Sequence, residues 1–169
     1  MSDTSRHRAS DSAELSGALS EGPLVTEGPG LLVMDVDSTL IEQEVIELIA
    51  ERAGTRELVA EVTARAMRGE LDFAASLRER VATLAGVRES VFADVLAEVR
   101  PTRGAAELIE ALHARGCRVG VVSGGFEEVV VPLAERLGID HVAANRLETD
   151  DGVLTGRVLG RIVDRQEKG

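Results

Sequence analysis

The sequence predicts an α/β protein: a parallel sheet with helices on its faces, interrupted after the first strand by a helical insert. Three observations carry this. Leu31 to Met34 and Val119 to Val122 are short, continuous apolar runs, the mark of strands covered on both faces. Strand and helix patterns alternate through the second half of the chain, the order a parallel sheet requires. Between Glu42 and Val99, four stretches of helical period follow one another with no strand pattern between them.

Element by element, residues 1–29 are rich in Ser, Gly, Asp and Glu, contain Pro23 and Pro29, and hold no period. They read as a mobile tail with a solvated His7. The Leu31–Met34 strand then delivers Asp35 and Asp37. From Glu42 the period changes: Val45, Ile46, Ile49 and Ala50 share a helix face, and Gly54 closes that helix. Arg56 to Arg68, Asp72 to Leu84 and Glu89 to Val99 are the next helices, punctuated by Gly69, Gly86 and Pro101. Ala105 to Arg115 reads as a helix closed by Gly116. Val119 to Val122 is the second strand, Ser123-Gly124-Gly125 a turn, and Glu127 to Leu137 a helix. His141 to Ala144 is a third short strand, and Leu147 to Val158 a hairpin around Asp151-Gly152. The expected division is a tail over 1–29, a sheet core over 30–41 and 102–169, and a helical unit over 42–101.

Composition narrows the function. The 169 residues are 44% hydrophobic, enough for one core and a small insert. A net charge of −11, with no Trp and no Tyr, argues against gripping or stacking nucleic acid. No run approaches the ~18 apolar residues of a membrane span, and the N-terminus lacks the apolar stretch of a signal peptide. Cys117 is the single cysteine, so no internal disulfide can form. The expectation is a soluble cytoplasmic protein acting on a small molecule, without nucleic-acid or membrane partners and with Cys117 as packing.

In parallel sheets ligands bind beyond the carboxyl ends of the strands. Asp35 and Ser123 both stand at such ends. A carboxylate there can attack phosphorus, and a second can serve as acid and base. Two such charges also suit Mg2+. The same spacing also fits a turn in which an Asp or Ser caps the following helix. Ser123-Gly124-Gly125 can offer N–H groups to an anion at a helix N-terminus, or simply form a tight turn. A serine-hydrolase elbow is excluded, because it needs Gly two residues before the serine and Val121 stands there. His113 and His141 show no triad spacing. Glu44, Met67, Phe73, Arg80 and Lys168 earn no role from the residues alone.

"DVDSTLIEQE" at 35–44 and "VVSGG" at 121–125 resemble the haloacid dehalogenase superfamily of phosphotransferases. "EVTARAMRGELDFAASLRERVATLAG" at 61–86 is similar to the helical cap of its phosphoserine phosphatase family, and the likeness runs from about residue 30 to 169. The resemblance implies a Rossmann-like core with a four-helix cap, Mg2+ as cofactor and O-phosphoserine as substrate, in serine biosynthesis. It implies Asp35 as nucleophile and metal ligand. Asp37 would be general acid and base, with its carbonyl on the metal. Ser123 and Gly124 would hold the phosphoryl group, with Lys168 balancing phosphate and Asp35. Glu44 would meet the substrate's ammonium and Arg80 its carboxylate, while Met67 and Phe73 would line the cap side. Another small phosphate is the alternative substrate.

In that family the chain continues past the lysine to a further strand and an acidic Gly-Asp-Gly-x-Asn-Asp loop that adds metal ligands. Asp150, Asp151 and Gly152 precede Lys168 and read as a hairpin turn instead. The expectation is an incomplete core, weak Mg2+ binding and little turnover, up to a non-catalytic remnant.

Overall fold

The computed structural model describes residues 28–163. β1 (Leu31–Met34), β2 (Arg118–Phe126), β3 (His141–Asp150) and β4 (Val153–Leu159) form one four-stranded sheet in that spatial order. β1 and β2 run parallel with Leu31 opposite Arg118 and Met34 opposite Val121. β2 and β3 are also parallel, and β3 turns into antiparallel β4. The parallel sheet expected from alternation is present, with an antiparallel hairpin on one edge.

Between β1 and β2 lie α1 (Val45–Ala53), α2 (Arg56–Met67), α3 (Phe73–Ala82), α4 (Val91–Glu98) and α5 (Ala105–His113). α6 (Glu127–Leu137) joins β2 to β3. Local chemistry sets the ends. Gly54 adopts φ 71° and its N–H reaches the carbonyls of Ala50 and Glu51, which a residue with a side chain would do only under strain. Asp72 caps α3 by accepting from the Ala75 N–H at 2.7 Å. Val45, Ile49 and Leu77 are fully or almost fully buried in the same core cluster as Val119, Phe126 and Leu133. Each such side chain contributes about 1.5–3 kcal/mol relative to exposure.

The helices α1 to α4 are tied to the sheet at two places. At their root, Ile41 bridges Pro101, Glu42 N–H donates to the Arg100 carbonyl at 3.1 Å, and Thr102 N–H to that of Leu40 at 2.9 Å. At the far side, the α3–α4 loop joins the hairpin: Gly86 N–H donates to the Leu154 carbonyl at 2.9 Å and Leu154 N–H to that of Val87 at 2.8 Å.

Three expectations are corrected. β1 is not covered on both faces: Leu31 and Val33, on one face, are 53% and 49% exposed, while Leu32 and Met34 on the other are half-buried; among the described residues β1 is the outermost strand. Ser123-Gly124-Gly125 is not a turn after β2 but its continuation to Phe126, with the register to β3 broken between Val122 and Phe126. The third strand does not stop at Ala144; it runs unbroken into the hairpin, because Asn145 spends its side chain on its neighbours and the strand beyond it pairs with β4 from Arg146 to Asp150.

Candidate active site

β1 ends at Met34, opposite Val121 of β2, and Asp35 follows directly after that last ladder pair. Val36–Leu40 then winds into a single wide turn whose ends, Val36 and Leu40, are buried as anchors. Ser38 is forced to φ 52°, a left-handed conformation uncommon for a residue with a side chain. The turn brings Asp37 to the start of α1, while Asp35 caps the turn itself. Asp35 Oδ1 accepts from the Val36 N–H at 2.8 Å, and Asp37 Oδ1 from the Val45 N–H at 2.9 Å.

Burial pushes Asp37 up to about 6, against the Val45 N–H that favours its charged form. The neighbouring charges of Glu44 and Asp35 push the same way as burial, while a hydrogen bond from Ser123 opposes it. The Ser123 hydroxyl is fully buried, donates to Asp37, and accepts from the Gly125 N–H at 2.8 Å.

Both glycines beyond Ser123 sit in close quarters. A methyl group on Gly124 would stand 2.9 Å from Cζ of Phe73, and one on Gly125 3.0 Å from Asp37 Oδ2 and from Ser123 Oγ. The Phe73 ring, at the start of α3, therefore sits directly on the strand end. The space between them is a partly open cavity of about 190 Å3 lined by Asp35, Asp37, Glu44, Ile46, Phe73, Leu77, Arg80 and Gly124–Phe126. Glu44 is held by Ser38, whose hydroxyl donates to Oε1 at 2.7 Å. Arg80 enters from α3 and its Nε donates to the Ser76 carbonyl at 3.4 Å. Burial lowers its pKa, while Glu44, Asp37 and Glu47 raise it. An acid and a base thus share a cavity with the strand-end carboxylates.

Asp35, Asp37, Glu44, Phe73, Arg80 and Gly124 line one cavity, with Ser123 beneath it. Met67 does not join them: it ends α2, is 85% exposed and is absent from the cavity wall. Lys168 lies outside the described residues. His113 pairs with Asp140 at 3.0 Å near the amino end of β2, His141 is exposed at the start of β3, and Cys117 is buried packing. Two residues escaped the sequence reading. Ser38 carries no signal, since only the turn brings its hydroxyl to Glu44. Asn145 carried one: a lone amide within an apolar strand, whose burial has to be compensated.

As metal donors, Asp35 and Asp37 offer hard oxygens suited to Mg2+, which is held by one or two carboxylates together with phosphate and water. Among the described residues no group of three or more His, Cys, Asp or Glu is placed to hold a metal alone.

A model of the haloacid dehalogenase-like hydrolases matches residues 32–168. The chain belongs to this family. Similar haloacid dehalogenase-like hydrolases include the phosphoserine phosphatase of Streptococcus thermophilus, 56% identical over 85% of this chain and 67% of the relative. That of Streptomyces coelicolor is 62% identical over 82% of this chain and 34% of the relative. Among solved structures, a substrate-bound phosphoserine phosphatase matches with a TM-score of 0.74 at 42% identity, over 80% of this chain and 64% of that one. A phosphoserine phosphatase solved as a phospho-aspartyl intermediate analogue matches with a TM-score of 0.73 at 43% identity, over 80% and 65% respectively. The chain spans between a third and two thirds of the length of these curated relatives, 34% to 67%. Among the described residues no helix is long and apolar enough to cross a membrane.

Proposed function

We propose that this site belongs to a Mg2+-dependent phosphatase acting on O-phosphoserine. The observation that carries the reading is the pairing of Glu44 and Arg80 in the same cavity as Asp35, Asp37 and Gly124. An α-amino acid bearing a phosphate needs a carboxylate for its ammonium and a guanidinium for its carboxylate, and Arg can meet the latter with two parallel hydrogen bonds. The phosphate would then lie at the strand ends.

In this reading the Asp35 carboxylate attacks phosphorus, and the P–O bond to the seryl oxygen breaks. That oxygen takes its proton from Asp37, whose raised pKa keeps a proton on it closer to neutral pH than an ordinary aspartate would. Water then attacks the aspartyl-phosphate, gives its proton to Asp37, and releases phosphate with Asp35 restored. Ser123 and the Gly124 backbone orient the phosphoryl group, and Phe73 closes the cavity against stray water. The Asp35 carboxylate and the Asp37 backbone carbonyl would hold Mg2+ jointly with the phosphate, which leaves the Asp37 carboxyl to carry the proton, and the metal would offset the negative charge that gathers there. Helices α1 to α4 act as the cap in this scheme.

The test is phosphate release from O-phosphoserine by the purified chain with Mg2+, beside Asp35→Asn and a panel of other small phosphate esters. Labelled phosphate should be trapped on the parent and not on Asp35→Asn. Equal turnover of all esters would sink the amino-acid assignment, and trapping on Asp35→Asn would sink the nucleophile.

A further inference from the structure

We propose that Asn145 is a positioning residue for the anion-holding segment Ser123–Gly125. The inference rests on the reading of that segment as the phosphate site.

Among the described residues the buried polar side chains are Ser76, Ser123 and Asn145, the last 1% exposed. A buried amide is costly unless both its ends are bonded, and both are. Nδ2 donates to the Gly124 carbonyl at 2.9 Å, and Oδ1 accepts from the Val163 N–H at 2.8 Å. The bonds fall where the sheet leaves a gap. Ladder pairing between β2 and β3 is lost after Val122 and resumes at Phe126, opposite Asn145 itself. Over the intervening residues the backbone needs other partners, and the Asn145 amide supplies one.

The consequence follows from peptide planarity. The Gly124 carbonyl and the Gly125 N–H belong to one rigid unit and point to opposite sides. With the carbonyl turned toward Asn145, the Gly125 N–H is turned toward Ser123 Oγ, the bond seen at 2.8 Å. That bond fixes the hydroxyl that also donates to Asp37. Asn145 touches neither cavity nor acid. It sets the orientation of the peptide that sets Ser123, and through Val163 it also holds the chain where it leaves the sheet.

The variants are Asn145→Asp, which keeps an oxygen for Val163 but loses the donor to Gly124, and Asn145→Ala, which removes both. Two readouts are taken on the full chain: hydrogen exchange of the Gly125 amide without ligand, and binding of inorganic phosphate with Mg2+ by calorimetry. The expected result is Gly125 exchange accelerated ~tenfold or more while β3–β4 hairpin amides keep their rates, with phosphate affinity down by ~tenfold, the scale of one lost buried hydrogen bond. Unchanged Gly125 exchange, or affinity within about twofold of the parent, overturns the proposal. So does a variant that unfolds or loosens everywhere, since Asn145 would then serve the fold alone. A parent that binds no phosphate would instead overturn the phosphate-site reading, and Gly125 exchange would still decide whether Asn145 orients the strand end.

Discussion

Asp37 and Asp140 show one residue type driven in opposite directions by its surroundings. Burial raises Asp37 to about 6, whereas Asp140 is lowered to about 2 because its carboxylate accepts from the Val119 N–H and from His113. The Val119 bond is 2.8 Å, the His113 contact 3.0 Å and the Arg118 contact 3.1 Å. A carboxyl whose folded pKa lies below its unfolded value stabilises the fold when ionised. Its contribution is present above the unfolded value of 3.8 and lost as pH falls toward about 2. Asp140→Asn should therefore unfold at a lower temperature than the parent near neutral pH, with the gap closing across that acid window. A gap that stays constant with pH, followed by thermal melts, would show that charge is not what Asp140 contributes. At this scale the sequence was most readable where a residue's role follows from a strand end. Asp35 and Asp37 were expected where the apolar run of β1 stops, and they follow it directly, whereas Ser123, read as a strand end, lies within β2. Met67 was misplaced because a helical pattern does not say which way the last turn faces, and it ends at 85% exposure.

The elements divide along the same line. Helices were legible because capping and glycine termination are local: Asp72 and Gly54 act where the pattern put them. Strand limits were not, because they depend on a neighbour. β2 extends through Ser123–Gly125 only because β3 lies alongside and Asn145 fills the gap in the ladder. The contact of β4 with α3 is equally non-local. Gly156 lies within β4 at φ 80°, and a methyl there would stand 3.0 Å from the Ala85 Cβ and 3.2 Å from the Ala82 carbonyl oxygen. The strand packs on the end of α3 by its backbone, with no room for a side chain. Gly156→Ala combines a left-handed backbone, costing about 1–2 kcal/mol, with overpacking, costing about 1–3 kcal/mol. Urea unfolding should show a loss of about 2–5 kcal/mol, with helix content of the folded state unchanged. A loss under about 0.5 kcal/mol, the range of ordinary surface changes, would mean that β4 shifts away from α3 at little cost.

For the whole molecule, the decisive feature is β1. It leads directly into Asp35 and Asp37, yet it is the outermost strand of the described sheet. Its outward residues Leu31 and Val33 are half exposed, and its other face looks onto an apolar groove of about 300 Å3 lined by Leu32, Met34, Leu40 and Leu108. A strand bonded on one side only presents unpaired N–H and C=O groups, and apolar side chains make it a template for another chain. Proteins usually blunt such an edge with a charge or proline, and Leu31–Met34 has neither. The net charge of −11 opposes association through long-range repulsion, which salt screens within about 10 Å at 0.1 M. Hydrophobic burial along the edge is not screened. Association should therefore strengthen with both protein concentration and salt, the opposite of what charge-driven contacts would do. Val33→Lys places a charge on the open face opposite Gly120, where it needs no buried space. Sedimentation velocity of that variant should show a monomer under conditions where the parent self-associates, with the same melting temperature at low concentration. A parent that stays monomeric in high salt would show that the edge is protected, and association persisting in Val33→Lys would place the contact elsewhere.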